Sequence, residues 1–352
     1  MHIAVDAMGG DHAPRAAVEG AWRAVTEDGA RVLLVGRREA VVTELARLAP
    51  GPPPPGLEIV HAEEVVGMDE PAITPIRRKR ASSVRLCAEL VREGRAAAMV
   101  TAGNTGAAMI VAKMVIGTLP GVDRPALAAV LPNDGGRTVL LDVGANVESK
   151  PSHLRQFAVM GHFYAQEVIG TRAPRIGLLS IGEEEGKGTD TTREVFKVLK
   201  TTGLNFVGNV EGSDVFNGAV DVVVCDGFVG NVLLKGAEAV AQLLGRMLRE
   251  ELAVSARTRL GYLAARPAFD ALRRRTDYRE YGAATLLGVE SGCFIGHGRS
   301  NARAIQSSVR RAVEFATAEL AAKIRDKVAV LHSEEERLLG APQAISGQAV
   351  SG

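Results

Sequence analysis

The sequence predicts an α/β fold built on a mostly parallel sheet, and three observations predict it. Short aliphatic runs such as Val222-Val223-Val224 recur along the chain. A continuous apolar run of that length reads as a strand buried on both faces, as parallel strands are. Such a run then ends in a glycine-rich turn and gives way to helical spacing. Asp221 to Ala239 (DVVVCDGFVGNVLLKGAEA) sets the pattern: Asp226-Gly227 closes the strand, Gly230-Asn231 sits in the turn, and Val232 to Leu243 is helical. Finally, IAVDAMGGDHAP, AAMVTAGNTGAAM, TVLLDVGANVES and IGLLSIGEEEGKGTD, starting at Ile3, Ala97, Thr138 and Ile176, repeat the same unit. At each turn the free N–H groups of a helix start converge and favour an anion. The expectation is five turns aligned on one edge of the sheet, carrying the chemistry.

Composition bounds the rest. With 352 residues, 46% hydrophobic and only 4% aromatic, the chain suits one large α/β domain or two fused ones. A net charge of +1 offers no field for nucleic acid. Cys87, Cys225 and Cys293 are odd in number and lack paired spacing, which argues against a disulfide framework or zinc cluster and for a reducing compartment. Asp6 interrupts the first apolar run, and no apolar stretch reaches the ~18 residues of a membrane span. A cytoplasmic location is expected.

Taken in order, His2 to Val5 is a first strand, and Pro14 opens a helix to about Val25 at the position proline favours. Arg31 to Val35 and Leu57 to His61 are strands. Between them lie a helix, Glu39 to Leu48, and the stiff connection PGPPPPG. Arg77 to Arg80 are four consecutive cations before the helix Ser83 to Glu93. They form either a solvated helix start or a basic loop over an anionic substrate. Ala97 to Thr101 is a strand, with a helix to Ile116. Ala126 to Leu131 and Thr138 to Val143 flank a hairpin-like turn and should pair antiparallel. Pro151 to Ile169 is a helix, Ile176 to Ile181 a strand, and Thr192 to Lys200 a helix capped by Thr189 or Asp190. Phe206 to Val210 is a short strand. Glu251 to Arg279 mixes Leu252, Val254, Leu260, Leu263 and Phe269 with arginines, and Pro267 should split it into two short helices. This protruding tip either lies at a subunit interface or touches anionic lipid. A strand follows Gly292, and Asn301 to Lys327 is one long helix, with the fold ending near Leu339. Residues 1–339 then form a single catalytic domain, and 340–352 read as a disordered tail.

Two nucleotide motifs are excluded. Three residues separate Gly182 from Gly186 where a P-loop needs four, and Gly188 follows Lys187 where Ser or Thr should stand. No G-x-G-x-x-G follows the first strand. Other residues remain with two readings each. Gly103-Asn104-Thr105-Gly106 is a tight turn or an anion cradle. Lys187, among Glu183, Glu184 and Glu185, is solvated or neutralises a phosphate. Asn231 is a helix cap or a donor to a developing oxyanion. Asp6, Asp11 and His12 serve turn geometry and capping, or form an acid/base or phosphate-positioning site. Cys225, at the end of a buried strand, reads as a core residue.

AVDAMGGDHAP, RRKRASSV, VTAGNTGAAM, LLDVGAN, LLSIGEEEGKGTD, VCDGFVGNVLLK, DYREYGAATLLGV and IGHGRSNARA occur in that order. Together they resemble the bacterial phosphate acyltransferases of phospholipid synthesis, the PlsX family, over roughly Met1 to Ala321. Ala283-Ala284 and Gly298-Arg299-Ser300 depart from the family's usual Gly-Ala and Gly-Ser-Ser. The resemblance implies a three-layer α/β/α fold, similar to isocitrate and isopropylmalate dehydrogenases and to phosphate acetyltransferase. It implies a homodimer without metal or cofactor. The implied reaction moves a fatty acyl group from acyl carrier protein to inorganic phosphate, and a membrane glycerol-3-phosphate acyltransferase then consumes the acyl phosphate. That neighbour gives the tip a reason to meet the membrane surface, so a peripheral location joins the cytoplasmic one. Lys187 and Asn231 become the expected catalytic residues. Asp6, Gly9, Gly10, Asp11, His12, Gly103, Asn104, Thr105, Gly106, Asn146 and Gly230 become the expected phosphate and substrate contacts. The alternatives are a nicotinamide-dependent oxidoreductase of the same fold, a transferase acting on acyl coenzyme A, and a membrane-associated binding protein.

Overall fold

In the computed structural model, the described backbone covers residues 1–276 and 283–340, with side chains for 1–269 and 283–330. The strands are β1 (Ile3–Asp6), β2 (Val32–Gly36), β3 (Leu57–His61), β4 (Ala98–Thr101), β5 (Ala126–Asn133), β6 (Gly136–Leu141), β7 (Ile176–Leu179), β8 (Phe206–Val210), β9 (Val222–Val224), β10 (Ala284–Leu287) and β11 (Gly292–Ile295). They form one sheet in the order β3-β2-β1-β4-β11-β10-β5-β6-β9-β7-β8. The helices are α1 (Arg15–Thr26), α2 (Arg38–Leu48), α3 (Thr74–Arg77), α4 (Ser83–Arg92), α5 (Thr105–Val111), α6 (Pro151–Tyr164), α7 (Asp190–Leu199), α8 (Asp214–Asn217), α9 (Gly227–Ala253), α10 (Ala256–Thr276), α11 (Ala302–Thr317) and α12 (Leu320–Gly340). After α5 and α6 the chain continues as single π-helical turns.

Strand periodicity divides the core into two layers. Ile3 and Val5, Val32 and Leu34, Val139 and Leu141, and Val222 and Val224 join one cluster with α1, α6, α7 and α11. The alternate residues Ala4, Leu33, Leu140 and Val223 join a second cluster with α4, α5 and Leu234 of α9. Helices therefore cover both faces, which is the expected three-layer arrangement.

The expectation of five turns on one edge is corrected. β1 and β4 run parallel to each other and to β11. The next three pairings, β11 with β10, β10 with β5 and β5 with β6, are all antiparallel. Three reversals leave β6, and with it β9 and β7, pointing the opposite way. The turns after β1, β4 and β11 therefore leave at one edge, and those after β6, β7 and β9 at the other. β10 was not anticipated, and it supplies two of the three reversals.

Other differences are local. Gly230 and Asn231 lie inside α9 rather than in a turn, because Asp226 caps the helix by accepting from Val229 N at 2.9 Å. Pro267 lies within α10 without splitting it, and the break falls earlier, between α9 and α10. A proline inside a helix removes one hydrogen bond and crowds the carbonyl four residues earlier, which strains or bends the helix without having to end it. The last helix is broken where Glu319 takes a positive φ of 52°. The segment DYREYG and the predicted tail beyond Gly340 lie outside the described residues, as do the side chains of Arg273, Arg274 and Arg275. The short helices α3 and α8 were not anticipated.

The first turn of α9 is seated on the loop after β6. A Cβ at Gly230 would stand 1.9 Å from the carbonyl oxygen of Asp142, and one at Gly227 would stand 2.5 Å from that of Asn146. Further along the same helix, nothing lies within 4 Å of a Cβ at Gly236. Alanine raises helix propensity at both positions, so contact alone should separate them. Gly230→Ala is expected to destabilise the fold by about 3 kcal/mol or more through overpacking against backbone. Gly236→Ala is expected to be neutral or stabilising by up to about 1 kcal/mol. Urea unfolding of the two variants, monitored by circular dichroism, checks the contrast.

Candidate active site

At the first edge, three turns are drawn together. Asp6 is buried at the end of β1, where its carboxylate accepts from Thr101 Oγ1 at 2.7 Å and from Met8 N at 3.0 Å. Burial raises its pKa, while hydrogen bonds from Ser83, Thr101, Met8 and Gly9 pull it back. Gly9 passes so close to the next turn that a Cβ would meet Gly103 N at 2.7 Å. Gly10 has a φ of 100°, and Asp11 N donates to Gly298 O at 2.7 Å, tying the β1 turn to the β11 turn. Asp11, His12 and Thr105 are exposed. Asn104 is spent internally. Its Oδ1 caps α5 through Ala107 N, and its Nδ2 donates to the carbonyls of Met68 and Glu70 at 2.9 Å. Gly106 lets Ala72 approach, since a Cβ there would lie 2.9 Å from the Ala72 Cβ. The basic run is partly structural too: Lys79 pairs with Glu70 and donates to Val65 O, whereas Arg77, Arg78 and Arg80 are exposed.

At the second edge, Asp142 is the knot. Its Oδ1 accepts from Leu127 N, Gly144 N and Ala145 N, and its Oδ2 from Asn146 N and Nδ2. Burial raises this carboxyl against the pull of those donors. Asn146 also donates to Pro125 O, so its amide belongs to the scaffold. Gly227 N donates to Asn146 O at 2.8 Å, which docks α9 on the loop. Cys225 is buried beside Asp142, and burial pushes its thiol well above the ordinary value, with the charges of Asp226 and Asp142 adding to the effect. That suits the core reading and not a nucleophile.

Two clefts flank the first turn of α9. One, of about 610 Å³, lies at the second edge, with hydroxyls of Ser149, Ser180, Thr189 and Thr192 and the carboxylates of Glu148 and Asp226 set in a mostly apolar wall that includes Leu178, Ile181, Phe228 and Val229. The N-termini of α6, α7 and α9 converge on it, and Thr189 caps α7. Ser149 Oγ and Ser180 Oγ are buried without a hydrogen-bond partner. Lys187 stands beside this cleft: it is exposed, and its neighbour Gly188 forms part of the wall. The loop that carries it is pinned by Lys187 N to Glu184 O at 3.0 Å and by Asn209 Nδ2 to the same carbonyl at 2.8 Å.

The other cleft, of about 290 Å³, lies over β5 between α9 and the turns after β4 and β11. Leu127, Ala129, Leu131 and Ile295 make its apolar floor, and Asn231, Lys235, Glu238, His297 and Thr105 its polar wall. Asn231 faces Gly144 there: a Cβ at Gly144 would lie 3.7 Å from Asn231 Oδ1. The expected catalytic pair is thus divided, with Asn231 in this cleft and Lys187 beside the other. α9 starts at the second edge and reaches the first edge at His297. Glu238 Oε1 meets His297 Nε2 at 3.0 Å, Glu238 Oε2 meets Lys235 Nζ at 3.1 Å, and Lys235 Nζ meets His297 Nδ1 at 3.2 Å. Burial works to raise the Glu238 carboxyl, but His297 and Lys235 outweigh it and hold the pKa below the ordinary value.

These three residues were not foreseen as site residues. Two signals for them exist in the sequence: Lys235 stands one helical turn after Asn231, and His297 sits between glycines at a strand end. Neither signal shows that the two segments meet.

Known proteins share both the fold and the sequence. Solved structures with the same fold include a phosphotransacetylase from Streptococcus pyogenes, with TM-score 0.59 and 19% identity over 90% of this chain and 94% of that one. A branched-chain phosphotransacylase from Enterococcus faecalis gives TM-score 0.58 and 14% identity over 90% and 99%. In sequence, the chain is 52% identical to a phosphate acyltransferase of Acidobacterium capsulatum, over 90% of this chain and 94% of the relative. It is 49% identical to one of Pelotomaculum thermopropionicum, over 93% and 95%. A family model described as "Fatty acid synthesis protein" matches residues 1–323. That match takes in both edges and the helix that spans them, so the chain belongs to this family and is a phosphate acyltransferase.

Proposed function

We propose that this phosphate acyltransferase takes its acyl group from the thioester of acyl carrier protein and passes it to inorganic phosphate. The observation that carries the reading is the pair of clefts sharing the first turn of α9. One has an aliphatic floor, which suits an acyl thioester. The other collects three helix N-termini and several hydroxyls, which suits an oxyanion such as phosphate, although the carboxylates of Glu148 and Asp226 and the apolar Leu178, Ile181 and Phe228 share its wall, so a cation such as Lys187 is needed beside it. Val229 lines the second and Asn231 the first, so both clefts border the same first turn of α9, and phosphate has to pass the end of that turn to reach the thioester.

In this reading phosphate attacks the thioester carbon directly, and no acyl-enzyme forms. The thiolate is a good leaving group, so strong acid help is unnecessary. Lys187 neutralises charge on the incoming phosphate, and Asn231 donates to the carbonyl oxygen as it becomes an oxyanion. The turns carrying Gly9, Gly10, Asp11, His12 and residues 103–106 would supply further substrate contacts from the first edge, where Thr105 lines the apolar-floored cleft. Donors there come from backbone N–H groups, because the Asn104 amide is already engaged. Gly230 and Asn146 act by seating α9.

The exposed Val240, Leu244 and Met247 of α9 suit a second copy of the chain. Val254, Leu260 and Leu263 are also exposed, close in sequence to Arg257 and Arg259, which suits an anionic lipid surface. No helix among the described residues is long and apolar enough to cross a membrane. Contact with the inner face of the membrane would therefore be peripheral, near the acyltransferase that consumes acyl phosphate.

Purified protein incubated with palmitoyl-acyl carrier protein is expected to release carrier thiol and hydroxylamine-trappable acyl phosphate in equal amounts, only when phosphate is present. Turnover confined to acyl coenzyme A would replace the carrier as donor, and no turnover with either would end the reading. Asn231→Ala is expected to lower kcat about a hundredfold, as for one oxyanion donor. Lys187→Ala is expected to raise the KM for phosphate. Near wild-type kinetics in both variants would remove these two roles.

A further inference from the structure

We propose that Lys235 is a second donor to the reacting carbonyl oxygen, with Glu238 and His297 as its positioning residues. This rests on the reaction proposed above and extends it to residues with no assigned part. Lys235 and Asn231 are one helical turn apart on α9, and both line the apolar-floored cleft. They therefore present an ammonium and an amide to the same space.

The local bonding fixes protons as well as positions. An ammonium has donors only, so His297 Nδ1 must accept from Lys235, and the imidazole proton then sits on Nε2 facing Glu238. Glu238, only 12% exposed at its side chain, accepts from both partners. The ring of three bonds uses two of the three Lys235 protons and leaves the third for the cleft. The two bonds orient the ammonium, whose side chain is 51% exposed, along the wall of the cleft.

Charge decides which substrate it serves. The Lys235 ammonium is balanced by the Glu238 carboxylate at 3.1 Å, so this pair offers no surplus positive charge to draw a phosphate dianion. It suits a neutral thioester whose oxygen becomes negative only during reaction. In the step, an oxygen of hydrogen phosphate bonds to the carbonyl carbon and the C=O π electrons move onto oxygen. That oxyanion accepts from Asn231 and Lys235. Its collapse breaks the C–S bond, and the proton of hydrogen phosphate ends on the carrier thiol.

The test measures kcat and both KM values for wild type, Lys235→Met, Glu238→Gln, Asn231→Ala and the double variant Asn231→Ala/Lys235→Met, with thermal unfolding as a check on folding. Lys235→Met is expected to lower kcat about a hundredfold with the phosphate KM unchanged. Glu238→Gln, which keeps the shape of the site, should lower kcat less. The double variant should lose less than the product of the single effects, because both donors act on one atom. Unchanged kcat in Lys235→Met, or a rise in phosphate KM alone, overturns the assignment while leaving the overall reaction intact. If Lys235→Met fails to fold, unchanged kcat in Glu238→Gln overturns it. An inactive wild type overturns the reaction itself.

Discussion

The seating of one helix end on one loop governs this molecule. Gly227 and Gly230 bring the first turn of α9 onto the carbonyls of Asn146 and Asp142, at distances no side chain would permit. Asp142 makes that loop rigid enough to serve as a seat, gathering five N–H donors on two oxygens. From this contact follow the position of Asn231, the wall between the clefts and the course of α9 across the sheet. A buried carboxylate that loses these donors faces the full cost of desolvation. The loop and the helix therefore hold their geometry together.

The reversal of strand direction across β10, β5 and β6 explains why such a helix is needed. The two halves of the sheet send their turns to opposite edges, so neither half alone completes a site. α9 belongs to the second half by its start and reaches the first half at His297. At the Lys235–Glu238–His297 ring, α9 is tied by hydrogen bonds to the turn after β11. The short strand β9 thus leads into the helix that runs past both sets of turns.

Much of this was legible in the residues. The strand-turn-helix units, the antiparallel β5–β6 pair and the Thr189 cap follow from local patterns, because period, turn residues and caps act within a few positions. The place of Asn231 near a helix start was legible too. Strand direction was not, because it depends on pairings far apart in sequence, and β10 carries no turn motif of its own. The amides of Asn104 and Asn146 looked free for ligands, yet Met68, Glu70 and Pro125, which accept from them, lie more than twenty residues away, and only Asp142 is a near acceptor, for Asn146. Glycine at 230 read as a turn for a related reason. Its purpose is close approach between helix and loop, which a linear pattern cannot distinguish from a bend.

The length of α9 has a mechanical side. As a rod of 27 residues it spans about 40 Å, with its fixed end at the seat. A tilt of about 3° about that end moves the far end by about 2 Å but Asn231 by only a few tenths of an ångström, from the rise per residue. The short arm of this lever lies in the site and the long arm lies among the exposed aliphatic side chains. Shape changes where those side chains meet another surface are thereby scaled down before they reach the reacting atoms.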